Sequence, residues 1–231
     1  MAAETSFDLG IAADARYNDN RFLTETNKRS VYLFRVSPVI DTIIEDEGAR
    51  TVISARGSFQ KSSDESVEED RFTYGISLIG DYEFESSTLN IGGGYDRQSI
   101  FDTEFDDTGT FLNNSTRDRG FAQIGVSASL SETLSVRLSD SFQILDYSAF
   151  GLFNNYWSNN ASLDIDVALN ENTALIQNFG YLYYEPEFAL SPSVNSYSYL
   201  AGFRRQVSQN TSISVTGGVS YLNDKYMWSA V

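Results

Sequence analysis

The chain has 231 residues, a formal net charge of −16, 14% aromatic residues and neither cysteine nor histidine. The lack of cysteine excludes a disulfide framework and cysteine-ligated metals, and the acidity argues against nucleic acid as a partner, because phosphates require clustered lysine and arginine. No apolar run reaches the length of about 18 residues that a transmembrane helix needs. Nothing in residues 1–231 is typical of a linker, so we treat the chain as one domain.

Eleven segments alternate apolar and polar side chains with a period of two, which predicts eleven antiparallel strands. The first covers about residues 7–20 and the second about 30–44, where Pro38 predicts a bulge or an edge because it cannot donate to the ladder. The other segments follow in order at 51–60, 71–84, 88–97, 121–130, 134–144, 157–167, 174–184, 196–207 and 212–222.

The hairpin from residue 121 to residue 144 carries the clearest pattern. One of its faces consists mainly of Ala, Ile, Val and Leu, and the other of Ser, Gly, Gln and Arg. Each arm has about ten to thirteen residues, the length that a tilted strand needs to cross a bilayer, whereas soluble strands are mostly about half as long. Asp140 is the exception on the apolar face, and it predicts either a bulge or a position near the membrane interface.

Short connections alternate with long ones along the chain. The short ones are 45–50, 84–87, 131–133, 169–173 and 207–211, and the long ones are 61–70, 98–118, 147–155 and 185–195. This alternation predicts an all-β, antiparallel up-and-down transmembrane β-barrel of the bacterial outer membrane, with its turns in the periplasm and its loops outside. The alternative is a soluble sandwich or lipocalin-like barrel, against which the long strands and the lysine-poor polar face argue.

The number of strands indicates whether residues 1–231 can form a complete barrel. Bacterial single-chain barrels have even strand counts, and an unclosed sheet would leave backbone groups unpaired in lipid. Eleven strands therefore predict that residues 1–231 are the N-terminal part of a longer barrel, with an open seam between the first and last strands.

Charged side chains on the polar face are the candidate pore lining. They are Asp8, Asp14, Arg16, Arg35, Asp41, Arg56, Asp81, Asp96, Arg137, Asp164, Asp166 and Arg204. They predict a passive channel for hydrophilic solutes, and the acidic excess predicts modest cation selectivity.

The alternative function is a non-conducting structural or surface-binding barrel whose loops contact glycans or partner proteins. Its candidate stacking residues are Tyr147, Phe150, Phe153, Tyr156 and Trp157. Aromatic faces pack on sugar rings, but the same residues also suit an interfacial girdle in the lipid headgroups.

Catalysis and cofactors are not expected. Outer-membrane hydrolases generally depend on a histidine as general base. This chain has no histidine. Acidic runs at residues 64–65, 68–70 and 102–107 have no calcium-loop spacing, so we expect solvated loop charge there and no metal site.

Three short segments carry a resemblance: Arg16–Leu23 with the sequence RYNDNRFL, Lys28–Ser30 and Val36–Pro38. This opening resembles that of outer-membrane β-barrel porins associated with exopolysaccharide or PEP-CTERM systems. Members of that family are longer and end in a strand whose last residue is aromatic, unlike Tyr226–Val231 here. The resemblance implies a barrel for the export or uptake of polysaccharide, without catalytic residues. Its expected partners are outer-membrane lipid, lipopolysaccharide, polysaccharide and export-system proteins.

Overall fold

The computed structural model describes residues 3–20, 28–100, 115–148, 154–187 and 191–225. Within these ranges it shows eleven strands. They are β1 (Glu4–Asn18), β2 (Val31–Asp46), β3 (Ala49–Ser62), β4 (Arg71–Glu83), β5 (Ser87–Ser99), β6 (Thr116–Ser129), β7 (Leu134–Tyr147), β8 (Tyr156–Asn170), β9 (Thr173–Pro186), β10 (Ser193–Ser208) and β11 (Thr211–Lys225).

The strands form one antiparallel sheet in which each pairs with the next in the sequence, in the order β1 to β11. The all-β, antiparallel up-and-down fold is therefore confirmed. In the described residues no ladder joins β1 to β11, as the predicted seam requires. That the chain belongs to a longer barrel stays a prediction. The described part of the chain contains no helix long and apolar enough to cross a membrane.

The strands extend further than the alternation predicted, most clearly where residues 98–118 were expected to form a loop. β5 continues to Ser99 and β6 begins at Thr116. Arg97 and Asp118 form a two-pronged ion pair there, with the Arg97 Nε and Nη2 atoms 2.7 and 2.6 Å from the two carboxylate oxygens. Charged residues that suggested a loop thus face each other across the ladder and prolong it.

Pro38 causes neither a bulge nor an edge, so that prediction is wrong. Val36 pairs with Phe59 and Val39 with Arg56, which keeps the register of β2 on β3 unchanged across the proline. On its other side β2 pairs with β1, where Pro38 lies opposite Ile11. The sheet tolerates the missing donor because pairing resumes on both sides of it.

The two faces of the sheet differ in chemistry. On the face that we call apolar, side chains such as Leu9 and Ile11 are 73% and 76% exposed, and many other large apolar side chains are also exposed. In the described residues the only buried apolar side chains are Val31, Val67, Ile100, Leu145 and Pro186. No second layer of protein therefore covers the apolar face in this part of the chain, in contrast to a sandwich, which buries one face of each sheet.

Aromatic rings pair across strands on the apolar face. Ring centroids lie 4.7 Å apart for Tyr17 and Tyr32 and 4.6 Å apart for Phe59 and Phe72. These pairs lie near the strand ends that adjoin the longer connections. Such a belt is typical of strands that pass through a membrane interface.

Asp140 lies on the apolar face without any bulge. The register of β7 on both neighbours is unbroken there, with Ile124 and Ala161 as its partners. Its carboxylate accepts a hydrogen bond of 2.7 Å from the Asn159 side chain. Since Asp140 is the seventh of the 14 residues of β7, it also lies away from both strand ends. The apolar face therefore has a polar pair near its middle.

Candidate functional site

The register places all the candidate pore-lining residues on one face of the sheet, which we call the polar face. For example, Asp14 lies opposite Arg35, Asp8 opposite Asp41, and Arg137 opposite Asp164. The face is concave, because residues from seven consecutive strands, β5 to β11, line one cavity of about 780 Å³. The sequence therefore predicted correctly which charged side chains share a surface.

Between β8 and β10 the polar face carries exposed charges. The Arg204 Nη2 atom lies 3.0 Å from an Asp166 carboxylate oxygen, reaching across β9, and the two side chains are 49% and 40% exposed. Asp164 accepts a hydrogen bond of 2.7 Å from Asn178. Water screens these charges, so each pair contributes little to stability.

Residues 63–70, which connect β3 to β4, turn inward over the polar face. Val67 and Glu68 are each 1% exposed, and Val31 and Ile100 are buried as well. The expectation of solvated loop charge is thus wrong for Glu68. Residues 102–107, the other long acidic run, lie outside the described residues.

A chain of hydrogen bonds holds the Glu68 carboxylate. Gln60 Nε2 and Arg71 Nη2 each donate to Glu68 Oε1 at 2.8 Å, and Arg35 Nη2 donates to Gln60 Oε1 at 2.7 Å. Arg71 also donates to the Ser99 hydroxyl. A carboxylate buried in this way requires such donors, because an unpaired buried charge is strongly unfavourable.

The base of the same loop is fixed by Asp70. Its carboxylate pairs with the Lys61 ammonium and accepts a backbone N–H bond of 2.9 Å from Ser62. The hydrogen bond from Lys61, followed by that from the Ser62 backbone, lowers the pKa of Asp70. Hydrogen bonds from Ser66 likewise lower the pKa of Asp64. Both carboxyls therefore hold the loop only while they are ionised.

Next to this loop, residues of β1 to β5 surround a recess of about 470 Å³. We call it the arginine recess, because Arg35, Arg56, Arg71 and Arg97 all line it, together with Asp96. Asp96 is 3% exposed, and its Oδ1 atom has no hydrogen-bond partner among the described residues. A Cβ atom added at Gly75 would lie 3.1 Å from Arg56 Nε and 3.2 Å from Asp96 Cβ, so the glycine leaves the space between the two side chains.

Sequence reasoning missed several residues of this region. They are Gln60, Glu68, Arg71, Gln98, Arg117 and Arg119. The two-residue period was sufficient to place Arg71 two positions before Thr73 on the same face, and Arg119 two positions before the inward Phe121. No local pattern indicated the inward fold of Glu68, which depends on contacts between the loop and distant strands.

The aromatic stacking residues do not form one surface in the described residues. Tyr156 and Trp157 are adjacent in β8 and point to opposite faces: Tyr156 packs on Tyr184 at 4.9 Å and Trp157 on Tyr183 at 4.6 Å. Tyr147 ends β7, and its backbone N–H donates to the Asn155 side chain at 2.7 Å. Phe150 and Phe153 lie outside the described residues, so the loop-binding hypothesis stays a prediction.

The described ranges contain no cluster of three or more acidic side chains placed to hold a metal ion. The chain also has no histidine or cysteine. Its polar face can thus bind solutes through charge and hydrogen bonds, and we assign no cofactor to it.

No family model matches the sequence, and no curated protein matches it. The similar solved structures are outer-membrane β-barrel proteins of bacteria. OmpT of Vibrio cholerae in its trimer form is 9% identical, with a TM-score of 0.49 over 97% of this chain and 90% of that one. An anion-selective porin from Comamonas acidovorans is also 9% identical, with a TM-score of 0.47 and the same coverage. A FadL homologue from Pseudomonas aeruginosa is 10% identical, with a TM-score of 0.41 over 96% of this chain and 67% of that one.

Proposed function

We propose that this chain forms the wall of an outer-membrane channel for hydrophilic solutes. The observation that carries the proposal is the contrast between the two faces of one sheet. The apolar face exposes large side chains along its strands, while the charged polar face is concave. Apolar surface of this extent is unfavourable in water, at about 25 cal/mol per Å², and contiguous patches larger than a few hundred Å² mark a contact with a partner or a membrane.

Strand length supports a membrane as that partner. The strands have 13 to 16 residues each, and about 9 to 11 residues tilted by about 45° suffice to cross the hydrocarbon layer. The remaining residues reach the headgroup region, where the rings of Tyr17, Tyr32 and Phe72 on the apolar face suit lipid or lipopolysaccharide headgroups. We place the short turns in the periplasm and the longer connections outside the cell.

The transported solute is hydrophilic, because Ser, Asn, Gln, Asp and Arg side chains dominate the concave face. The resemblance of residues 16–38 to porins of exopolysaccharide systems supports polysaccharide as one such solute, with export-system proteins as partners. Transport is passive in this proposal: the solute moves down its own concentration gradient along the polar face.

The wall charges predict only a modest preference for cations. Asp8, Asp41 and Asp81 lie near the strand ends that adjoin the short turns, where aspartate prevails. Arginines such as Arg35 and Arg56 offset them towards the other end. The electrostatic potential in a narrow, water-filled pore depends on the sum of the nearby charges, and this potential sets the ion preference.

The test is conductance of the purified chain, refolded in detergent and inserted into planar bilayers. We expect stepwise conductance and a reversal potential, under a potassium chloride gradient, that indicates a modest preference for cations. Absence of conductance, or strong anion selectivity, would contradict the proposal. Heat-denatured protein is the control, since it contains the same residues without the sheet.

A further inference from the structure

We propose that the arginine recess is a binding site for a carboxylated sugar, that is, a solute with a carboxylate beside ring hydroxyls. The inference rests on the proposed function, since it names the class of solute that the channel would select. Its ligand is defined by the chemistry of the recess alone.

The first observation is the charge of the recess. Four arginines line it in a chain whose net charge is −16. Arg97 is already paired with Asp118. Arg35 and Arg71 donate to Gln60 and Glu68, respectively. Arg56 forms no hydrogen bond or ion pair with any side chain in the described ranges, so its guanidinium remains available. A guanidinium group binds a carboxylate through two parallel hydrogen bonds, which a lysine cannot reproduce.

The second observation is the buried carboxylate beside Arg56. Asp96 Oδ1 has no donor in the part of the chain that the structure describes, although the residue is 3% exposed. The residue opposite it in β6 is Arg119, whose guanidinium carbon lies 5.1 Å from the Phe121 ring centre. An unsatisfied buried acceptor is unfavourable, and a ligand hydroxyl that donates to Asp96 would remove that penalty.

Arg56 and Asp96 are adjacent across Gly75, since an added Cβ there would approach both. A ligand that satisfies both must present an acceptor anion and a hydroxyl donor a few ångströms apart. A hexuronate does so, with its carboxylate at one end of the ring and hydroxyls along it. A neutral sugar leaves Arg56 without an anion, and acetate leaves Asp96 Oδ1 without a donor.

The volume and the neutral lining agree with a sugar. The recess of about 470 Å³ lies within the range of about 300 to 1,000 Å³ for small-molecule pockets. Ser58, Thr73 and Gln98 line it as well, and their hydroxyl and amide groups can both donate to and accept from ring hydroxyls. A phosphate is a poorer fit, because its second negative charge would lie next to Asp96.

The test is titration of the full chain, refolded in detergent, with D-glucuronate followed by NMR. D-glucose, acetate and glucose 6-phosphate are the comparison probes. We expect glucuronate to bind more tightly than all three. We expect Arg56→Gln to weaken glucuronate binding about tenfold or more. Arg56→Lys should weaken it less, because the lysine keeps the positive charge but cannot form the two parallel hydrogen bonds. Asp96→Asn should reduce the preference for glucuronate over acetate.

Arg137→Gln is the matched control, because Arg137 is also an arginine of the polar face but does not line the recess. An equal loss in Arg137→Gln and Arg56→Gln would overturn the proposal, and so would glucuronate binding no more tightly than glucose. Circular dichroism of each variant verifies the fold. A chain that conducts ions but does not discriminate glucuronate refutes the recess alone, whereas one that binds glucuronate without conducting refutes the channel alone.

Discussion

The polar face has two regions that use the same residue types in different ways. At the loop of residues 63–70, the Glu68 and Arg71 side chains are 1% and 9% exposed and belong to a continuous hydrogen-bond network. Between β8 and β10, the Asp166 and Arg204 side chains are 40% and 49% exposed. A buried ion pair holds structure because neither charge tolerates the loss of its partner, while an exposed pair leaves both charges available to passing ions. A charge on this wall is therefore structural where it is both buried and paired, and it is available to solutes where its pair is exposed.

The strongest test of this comparison removes one partner of the buried pair. Arg71→Met leaves the Glu68 carboxylate buried without its charged donor, and we expect it to lower the free energy of unfolding by about 3 to 5 kcal/mol. Reversible urea unfolding in detergent micelles measures the loss. The double variant Glu68→Met with Arg71→Met should recover most of it, because no unpaired charge remains. A loss below about 1 kcal/mol in Arg71→Met would show that the pair is not structurally important.

A second test opens the loop without touching the ion pair. Val67→Asp places a charge at a position that is 1% exposed, which is unfavourable unless the loop leaves the polar face. We expect amide exchange in residues 63–70 to accelerate about tenfold or more, and single-channel conductance to increase. Glu65→Gln is the control, because it changes the charge of the same loop at a side chain that is 68% exposed. Equal acceleration in both variants would contradict the inward packing.

The sequence predicted the sheet well and the buried region poorly, for physical reasons. Alternation with a period of two reports the face of each residue directly, so Asp164, Asp166 and Arg204 were assigned to the polar face correctly. Strand ends were harder, because charged residues such as Asp118 are equally typical of loops and of cross-strand pairs. The burial of Glu68 depends on Arg71 and Gln60, which lie on other elements, and no local period records that contact.

Acidity should separate the two regions further. The pKa of Asp70 is lowered from 3.8 by its hydrogen bonds from Lys61 and Ser62. A group whose pKa is lowered on folding contributes stability above its unfolded pKa, and that contribution is lost as the pH falls through the folded value. Asp64 follows the same rule. We therefore expect amide exchange in residues 63–70 to be slow at pH 7 and to rise, relative to β9, as the pH falls below about 4. In Asp70→Asn the loop should exchange quickly even at pH 7, and an unchanged rate would contradict the role of this carboxyl.

The smallest effect on stability is expected at the exposed pair, where the functional effect should be measurable. Asp166→Asn removes one charge of a pair that water already screens, so we expect a change in the free energy of unfolding of about 1 kcal/mol or less. The same variant leaves Arg204 without its counter-charge on the wall, which should shift the reversal potential towards anions. Arg204→Gln is the matched control and should shift it in the opposite direction. Both shifts in reversal potential should become smaller at high salt, because the Debye length falls to about 3 Å at about 1 M. If Asp166→Asn instead destabilises the sheet as much as Arg71→Met does, burial is not what separates the two regions, and the charges of β8 to β10 hold the fold as firmly as the network at the loop.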